Sequence, residues 1–440
     1  MIIDLKLKNW MSFQHETEFS FAATEERRYR NRIPKIRKSP VLNVSPVAAL
    51  YGGNASGKTN LFSLFAFLKK MVVVPLREEE KEIPLDCFAL SRDSRKQPTE
   101  IILSFLASDD KIYTLRIVLS KNAILEESLA IVKTSSEAML YSRKGNDIKL
   151  HIPALEKNKD AQAYVRLIAS NQLFIGVAGA RIPQLRAPYQ WFRNQLTLIN
   201  THSSFRGFWD MFSSEPTDIQ NLSELLEQLD TGICKLEMED STLAALPLID
   251  SESGLKEHLN DDSSIELNFD GLRYVVSKKD DQLIVKKMIS YHNDCDGNLV
   301  KFDLSQESEG SLRLLDILPA FIDLERNKSR KVYVIDELDR SWHYALSRRL
   351  LGIYLLHCSE NSRAQLIFST HDLMLMDQDL FRRDEMWIVE RNDAGVSTLF
   401  SLSNCGIRFD KDIRKMYLQG ALGGIPQLTR FGSLVDTEEN

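Results

Sequence analysis

Several things are scarce in this 440-residue chain. Cysteine comes to five residues, Cys87, Cys234, Cys295, Cys358 and Cys405, and no two are spaced C-x-x-C. An odd, dispersed set argues against a disulfide framework or a cysteine zinc site, and reads as free thiols in a reducing cytoplasm. No apolar run approaches the roughly 18 residues of a membrane-spanning helix, so no membrane partner is expected. The opening MIIDLKLKNW alternates charged and apolar residues and is unlike a signal peptide. A strong charge of either sign is also missing: 56 basic against 62 acidic residues leave a net charge of −6. That balance argues against a whole-surface nucleic-acid coat while leaving local basic patches open. Sustained heptads, internal repeats and low-complexity stretches are absent, so a long coiled-coil arm is excluded. What remains is an ordinary globular composition, 43% hydrophobic and 27% charged, on a chain long enough for about three domains.

The most informative stretch is Tyr51–Leu64, YGGNASGKTNLFSL, in which Gly52 to Thr59 satisfies G-x-x-x-x-G-K-[ST]. The apolar run from Pro46 to Tyr51 before it predicts a buried strand, and the apolar stretch Asn60–Leu68 after it predicts a helix. A strand, glycine turn and helix in that order cradle a phosphate, because glycine lets the backbone approach and helix-start amides carry positive partial charge. Gly52, Asn54, Ser56, Gly57, Lys58, Thr59 and Asn60 are therefore candidate nucleotide contacts. Lys58 is expected to face solvent and ligand and to reach the β- and γ-phosphates, with the Thr59 hydroxyl on Mg²⁺. Four fixed positions would match by accident in roughly one such chain in a hundred.

Other segments organise around this one. Residues 1–8 and Thr17–Phe21 read as strands flanking Asn9-Trp-Met-Ser-Phe13. Seven basic residues between Arg27 and Lys38 make either a loop that binds phosphates, nucleic acid or an acidic partner, or a solvated connection, the second being the commoner role of such runs. Arg77–Glu82 reads as a charged linker. Strands are predicted at Thr99–Ala107 and Lys111–Leu119 about an Asp109-Asp110 turn, and again at Ser264–Phe269, Arg273–Ser277 and Leu283–Ser290. Residues from about 150 to 231 read as mainly helical, with Asp218–Leu229 their clearest amphipathic helix.

The chain then carries a second set of chemistry-bearing residues. Lys331–Glu337 is an apolar strand ending in Asp336 and Glu337, where Asp336 can hold Mg²⁺ and Glu337 can polarise an attacking water, or where both merely cap the strand. Leu366–His371 is another apolar strand, with His371 either a γ-phosphate donor or a structural residue. Ser308 and Gly310 precede a helix through Leu312, Leu315 and Phe321, in which Pro319 is expected to kink the helix or close its first part. They make either a second anion site or an ordinary helix cap.

In this order GNASGKTN, ESEGS, VIDELD and FSTHD resemble an ABC-type ATPase head, more narrowly the Rad50/RecF/SMC-like branch with its AAA15 and OLD-type relatives. LKNWMSF is similar to the opening of that branch, and Ser341-Trp-His343 resembles the S-x-H of AAA15 and OLD-type chains. The resemblance covers residues 1–70 and 300–375 well, and implies an α/β P-loop NTPase head, a mixed sheet with helices, interrupted by an α/β and helical insertion. The expected division is a core of residues 1–76 and 295–440, strand-rich elements at 77–150 and 232–294, and a mainly helical insertion at 151–231. It further implies ATP and Mg²⁺ as ligands and a head-to-tail ATP sandwich. Lys58, Thr59, Asp336, Glu337 and His371 of one copy would then face Ser308 and Gly310 of another. Two half-sites with donors fit that picture independently, since ATP would supply the charge that joins them. The signature departs from the family pattern at Glu309 and Ser311, and a glutamine corresponding to the family's Q-loop is not evident, Gln97 being the one candidate.

The tail Gly420–Pro426 is similar to the closing turn of AAA15 chains, and no nuclease or other effector chemistry is visible in the chain. The resemblance therefore implies a homo-oligomeric ATPase subunit of an anti-phage defence system, closest to the AriA family of PARIS systems. Such a subunit hydrolyses ATP, holds a separate effector such as a Toprim nuclease, and releases it on meeting a viral trigger protein. Septu-type ATPases with an HNH partner are neighbouring alternatives. A RecF/Rad50-like ATPase that binds DNA in repair stands as an alternative of another class, and an ATP-binding scaffold with little turnover as a third.

Overall fold

The computed structural model describes residues 1–38, 41–77, 79–80, 82–134, 136–200, 217–246, 259, 264–269, 271–406 and 411–424. The chain forms two compact units, one of Met1–Leu198, Arg330–Leu338 and Leu355–Asn440, the other of Ile199–Ser329 and Asp339–Tyr354.

In the first unit, β1 (Ile2–Lys8) and β2 (Thr17–Ser20) pair antiparallel, and β3 (Lys35–Lys38) and β4 (Val41–Asn43) make a small separate pair. β5 (Val47–Tyr51) leads into α1 (Lys58–Val73). β6 (Thr99–Leu106), β7 (Ile112–Leu119), β8 (Ile124–Val132), β9 (Glu137–Lys144) and β10 (Asp147–Leu150) join the first two strands in an antiparallel sheet ordered β10-β9-β8-β7-β6-β1-β2. The alternation of buried and less buried residues along β6 and β7 is what a sheet covered on one face requires. Short helices α2 (Pro153–Glu156), α3 (Lys159–Leu167), α4 (Phe174–Ala178) and α5 (Pro183–Gln190) follow, and then β11 (Leu196–Ile199). The buried Glu127 carboxylate of β8 fixes the start of α4, accepting from Phe174 N at 2.8 Å, Ile175 N at 3.2 Å and the Tyr141 hydroxyl at 2.6 Å.

In the second unit α6 (Thr217–Gln228) precedes β12 (Lys235–Ser241), β13 (Ser264–Phe269), β14 (Leu272–Lys279), β15 (Gln282–Asn293) and β16 (Leu299–Asp303). These strands form one sheet, ordered β12-β15-β14-β13 with β16 also on β15, over a small core of Leu246, Leu259, Tyr274, Val276 and Val285. α7 (Glu309–Glu325) comes next. It runs on past Pro319 to Glu325, so the proline does not end the helix. Leu315, Leu318, Ala320 and Phe321 around the proline are all buried, and that packing outweighs one missing backbone hydrogen bond.

The chain returns to the first unit with β17 (Val332–Ile335), leaves it before α8 (Tyr344–His357), and finishes there with β18 (Gln365–Ser369), β19 (Met386–Arg391), β20 (Ser397–Ser401) and α9 (Ile413–Leu418). The second sheet of this unit is ordered β11-β17-β18-β5-β19-β20. β17, β18, β5 and β19 are mutually parallel and β20 is antiparallel. Every residue of β5, β17 and β18 is buried, and apart from Gln365 and Ser369 at the two ends of β18 all are apolar or aromatic. Gln365, buried at the start of β18, joins the two sheets: its Oε1 accepts from Ile2 N at 2.7 Å, and its Nε2 donates to Ile2 O at 3.2 Å and Ser45 O at 3.0 Å.

The α/β P-loop head with an α/β and helical insertion is the architecture observed, and two details differ from expectation. The strands of 77–150 do not group with those of 232–294. β6 pairs with β1, Leu103 opposite Leu5, which places them in the first unit, and β12 to β16 form a sheet of their own in the second. β11 is a strand inside the stretch read as mainly helical, and it edges the sheet that contains β5. No helix among the described residues is long and apolar enough to cross a membrane.

Candidate nucleotide site

β5 delivers the chain to the carboxyl end of a parallel sheet, where α/β folds bind ligands. The phosphate loop follows at once. Gly57 forms the N-cap of α1 at φ 117°, and a Cβ there would lie 2.5 Å from Ser397 Oγ and 2.8 Å from Ser12 Oγ. Both its backbone angle and its surroundings therefore demand glycine. The hydroxyls that crowd it also brace the loop: Ser397 donates to Ser56 O at 2.6 Å, and Asn60 Nδ2 donates to Ser12 Oγ at 2.7 Å. Trp10 Nε1 donates to Asn60 O at 2.8 Å while its ring packs on Phe67. The Asn9–Phe13 turn thus supports the first turn of α1, which is a physical reason for the LKNWMSF pattern.

Lys58 departs from expectation. It is 5% exposed, and its ammonium donates to Gly52 O at 2.7 Å and Gly53 O at 3.1 Å. The lysine lies folded along the loop because it follows a tight glycine turn whose carbonyls point back at it. It reaches the cleft surface all the same.

On the other side of the loop stand the two acids after β17. Asp336 is buried and Glu337 is half-buried with φ 50°, a left-handed conformation that a glutamate adopts at a cost of about 1 kcal/mol. Ser369, at the end of β18, holds this turn. Its hydroxyl donates to Asp336 Oδ1 at 2.5 Å and accepts from Glu337 N at 2.8 Å. His371 Nε2 lies 3.6 Å from Glu337 Oε1, beyond a direct hydrogen bond and within reach of a shared water.

The walls of one cleft of about 550 Å³ are Asn54, Ala55, Ser56, Gly57, Lys58, Thr59, Asn60, Asp336, Glu337, His371 and Arg391. The structure therefore brings together nine of the predicted phosphate, metal and catalytic positions from the two ends of the sequence. Gly52 is not among the lining residues; its carbonyl accepts from the Lys58 ammonium. Gln97 is exposed and lies outside the lining, its own carbonyl accepting from Asn9 Nδ2 at 2.9 Å. Thr59 and Asp336 offer only oxygen donors, the chemistry that suits Mg²⁺ rather than a softer metal. Ser369 and Arg391 were missed by sequence reasoning. Each occupies the last position of its strand, β18 and β19, and that shared position was the available signal.

Ser308 and Gly310 belong to the second unit. Ser308 is the N-cap of α7, and its Oγ accepts from Ser311 N at 3.1 Å, so the capping role is observed. A Cβ on Gly310 would come within 2.6 Å of Ser341 O, and Ser341 itself has φ 71°. The ESEGS and S-x-H stretches are thus packed against one another, backbone on backbone. The closing Gly420–Pro426 turn is described only to Gly424, whose carbonyl accepts from Gly53 N at 3.1 Å; Ile425 and Pro426 lie outside the described residues.

Four of the seven cations of the basic segment Arg27–Lys38 are paired within the fold, one of them buried. Arg28 pairs with Asp379 at 3.6 Å, Arg30 with Glu25 at 3.8 Å, Lys35 with Glu360 at 2.5 Å, and Arg32 with the buried Glu385. Burial pushes the Glu385 carboxyl up to about 7, with the Arg32 guanidinium pulling the other way.

Comparison with known proteins adds a family. The sequence profile of the family described as "AAA domain, putative AbiEii toxin, Type IV TA system" matches residues 47–377, a span that includes the phosphate loop, the acid pair and His371. Similar solved structures include the SMC head domain from Thermotoga maritima, 13% identical, covering 91% of this chain and 98% of that one with a TM-score of 0.37. They also include the SMC head bound to the C-terminal winged-helix domain of ScpA, at 13% identity, 91% and 97% coverage and a TM-score of 0.41. RecF solved as a recombination mediator with an ATP analogue is 11% identical, with 91% and 98% coverage and a TM-score of 0.37. No curated protein matches the sequence.

Proposed function

We propose that this chain, which belongs to the AAA-domain family carrying the AbiEii description, is the ATP-hydrolysing regulator subunit of a prokaryotic anti-phage defence system. The observation that carries the reading is the single cleft in which the phosphate loop, Asp336, Glu337 and His371 converge. Thr59 and Asp336 would hold Mg²⁺, which supplies positive charge against the phosphates. The α1 amides and Lys58 bind the β- and γ-phosphates, and Glu337 accepts a proton from the attacking water with His371 beside it. Ser308 and Gly310 of a neighbouring copy complete the site, so that ATP joins two copies head to tail and hydrolysis parts them. The defence role draws on the family's toxin and type IV toxin–antitoxin description. A separate effector, a Toprim-type nuclease in the first instance, would be held by this subunit and released on contact with a viral protein.

The experiment is to purify the chain, measure ATP turnover and ATP-dependent association, and repeat both with the product of the adjacent reading frame. Retention of that product on the ATP-bound subunit, lost on adding phage protein, is the expected result. Turnover stimulated by duplex DNA with steep salt dependence, and no retained partner, would overturn it in favour of the RecF/Rad50-like alternative. The main support for that alternative was the Arg27–Lys38 segment, four of whose seven cations are paired within the fold.

A further inference from the structure

Arg391 has no part in the reading above, yet it lines the cleft. It is exposed, and its Nε donates to Gly395 O at 3.1 Å while Nη1 lies 3.4 Å from Ala55 O. Those contacts use at most two of the five guanidinium donors, and Arg391 has no carboxylate partner among the described residues. Its bed is shaped to hold it: a Cβ on Gly395 would fall 2.2 Å from Leu90 Cδ1 and 3.0 Å from Arg391 Nη2. An arginine held by two carbonyls at the rim of a phosphate cleft, with charge and donors to spare, is placed to meet a ligand.

Sheet order says which part of the ligand. Asp336, Glu337 and His371 follow β17 and β18, on one side of β5, and Arg391 ends β19, on the other side. If the acids attend the terminal phosphate, Arg391 stands at the opposite, nucleoside end. No phenylalanine, tyrosine or tryptophan is among the residues lining the cleft. A purine needs a flat partner, and a guanidinium is one: planar, weakly hydrated and suited to stacking on an aromatic face. We infer that Arg391 is the base-recognition residue of the site, its guanidinium stacking on the purine ring of the bound nucleotide. This inference rests on the nucleotide reading of the cleft.

Calorimetric titration of the full chain with ATP and with inorganic tripolyphosphate separates the two. Wild-type protein is expected to bind both, and failure to bind either would overturn the nucleotide reading and this inference with it. Arg391→Ala is expected to weaken ATP about tenfold while leaving tripolyphosphate within about twofold, as loss of one stacking contact to a base should. Unchanged tripolyphosphate affinity also reports that the Ala55 segment is intact. Arg391→Lys keeps the charge and loses the plane, and is expected to behave like the alanine variant. Equal weakening of both ligands, full rescue by lysine, or no effect on ATP would each overturn the assignment.

Discussion

Two helix N-termini carry the proposed chemistry, and they are finished differently. α1 begins at Gly57 with no side-chain cap and no acid in its first turn, so its leading amides are left for an anion. α7 begins at Ser308 with a side-chain cap to Ser311 N and with Glu309 in its first turn, so part of its N-terminal charge is already answered. One end has the uncapped amides that the proposed phosphate site needs, and the other is a capped helix start that would become half of the proposed site when a triphosphate is brought to it. The difference gives the proposed sandwich an order: nucleotide binds first at α1, and α7 of a second copy closes afterwards.

The largest expected effect lies at the α1 side. Glu337→Gln should lower ATP turnover by about a thousandfold, the range of a lost general base, while ATP affinity is kept. Unchanged turnover in a steady-state phosphate-release assay would show that Glu337 is not the base. Next in size, Lys58→Ala should weaken ATP binding by roughly a hundredfold, the order expected when charge-assisted hydrogen bonds are lost. Because its ammonium ties down Gly52 and Gly53, the same variant should also lose about 1 kcal/mol of stability in urea, an effect a solvent-facing lysine would not have.

The α7 end gives smaller effects. Ser308→Asp keeps a good cap but sets a carboxylate against the triphosphate, so Tm should hold while ATP-dependent association weakens at least about tenfold. Light scattering with and without ATP reads this, and Ser308→Ala is the counterpart, costing about 1 kcal/mol of stability for the lost cap. Normal association in Ser308→Asp would mean that α7 does not face a nucleotide. The smallest change concerns Glu309. Glu309→Gln removes a like charge and should strengthen ATP-dependent association by about threefold, a few tenths of a kcal/mol up to about 1.

The site was more legible than the fold around it. G-x-x-x-x-G-K-T, the acid pair after an apolar strand and the histidine after another are local patterns, since each is dictated by what a few successive residues must do. Ser369 was hidden because its role, bridging Asp336 and Glu337, exists only once β17 and β18 lie side by side. Arg391 was hidden for the same reason, as β19 must pair with β5 before its last residue can reach the cleft. At Arg27–Lys38 the sequence left two readings open, and only the folded chain shows four of the cations answered by Asp379, Glu25, Glu385 and Glu360.

What the sequence alone determined is therefore the set of candidate groups: a glycine turn with lysine and threonine, two acids and a histidine at strand ends, and a serine-capped helix. Tertiary structure decided which of those groups share a cleft, which cations stay unneutralised, and that β6 to β10 side with β1 while β12 to β16 stand apart. The reason is physical. Backbone conformation and strand or helix periodicity depend on neighbours in the chain, whereas charge pairing, burial and strand partnership depend on residues brought close in space from remote parts of it.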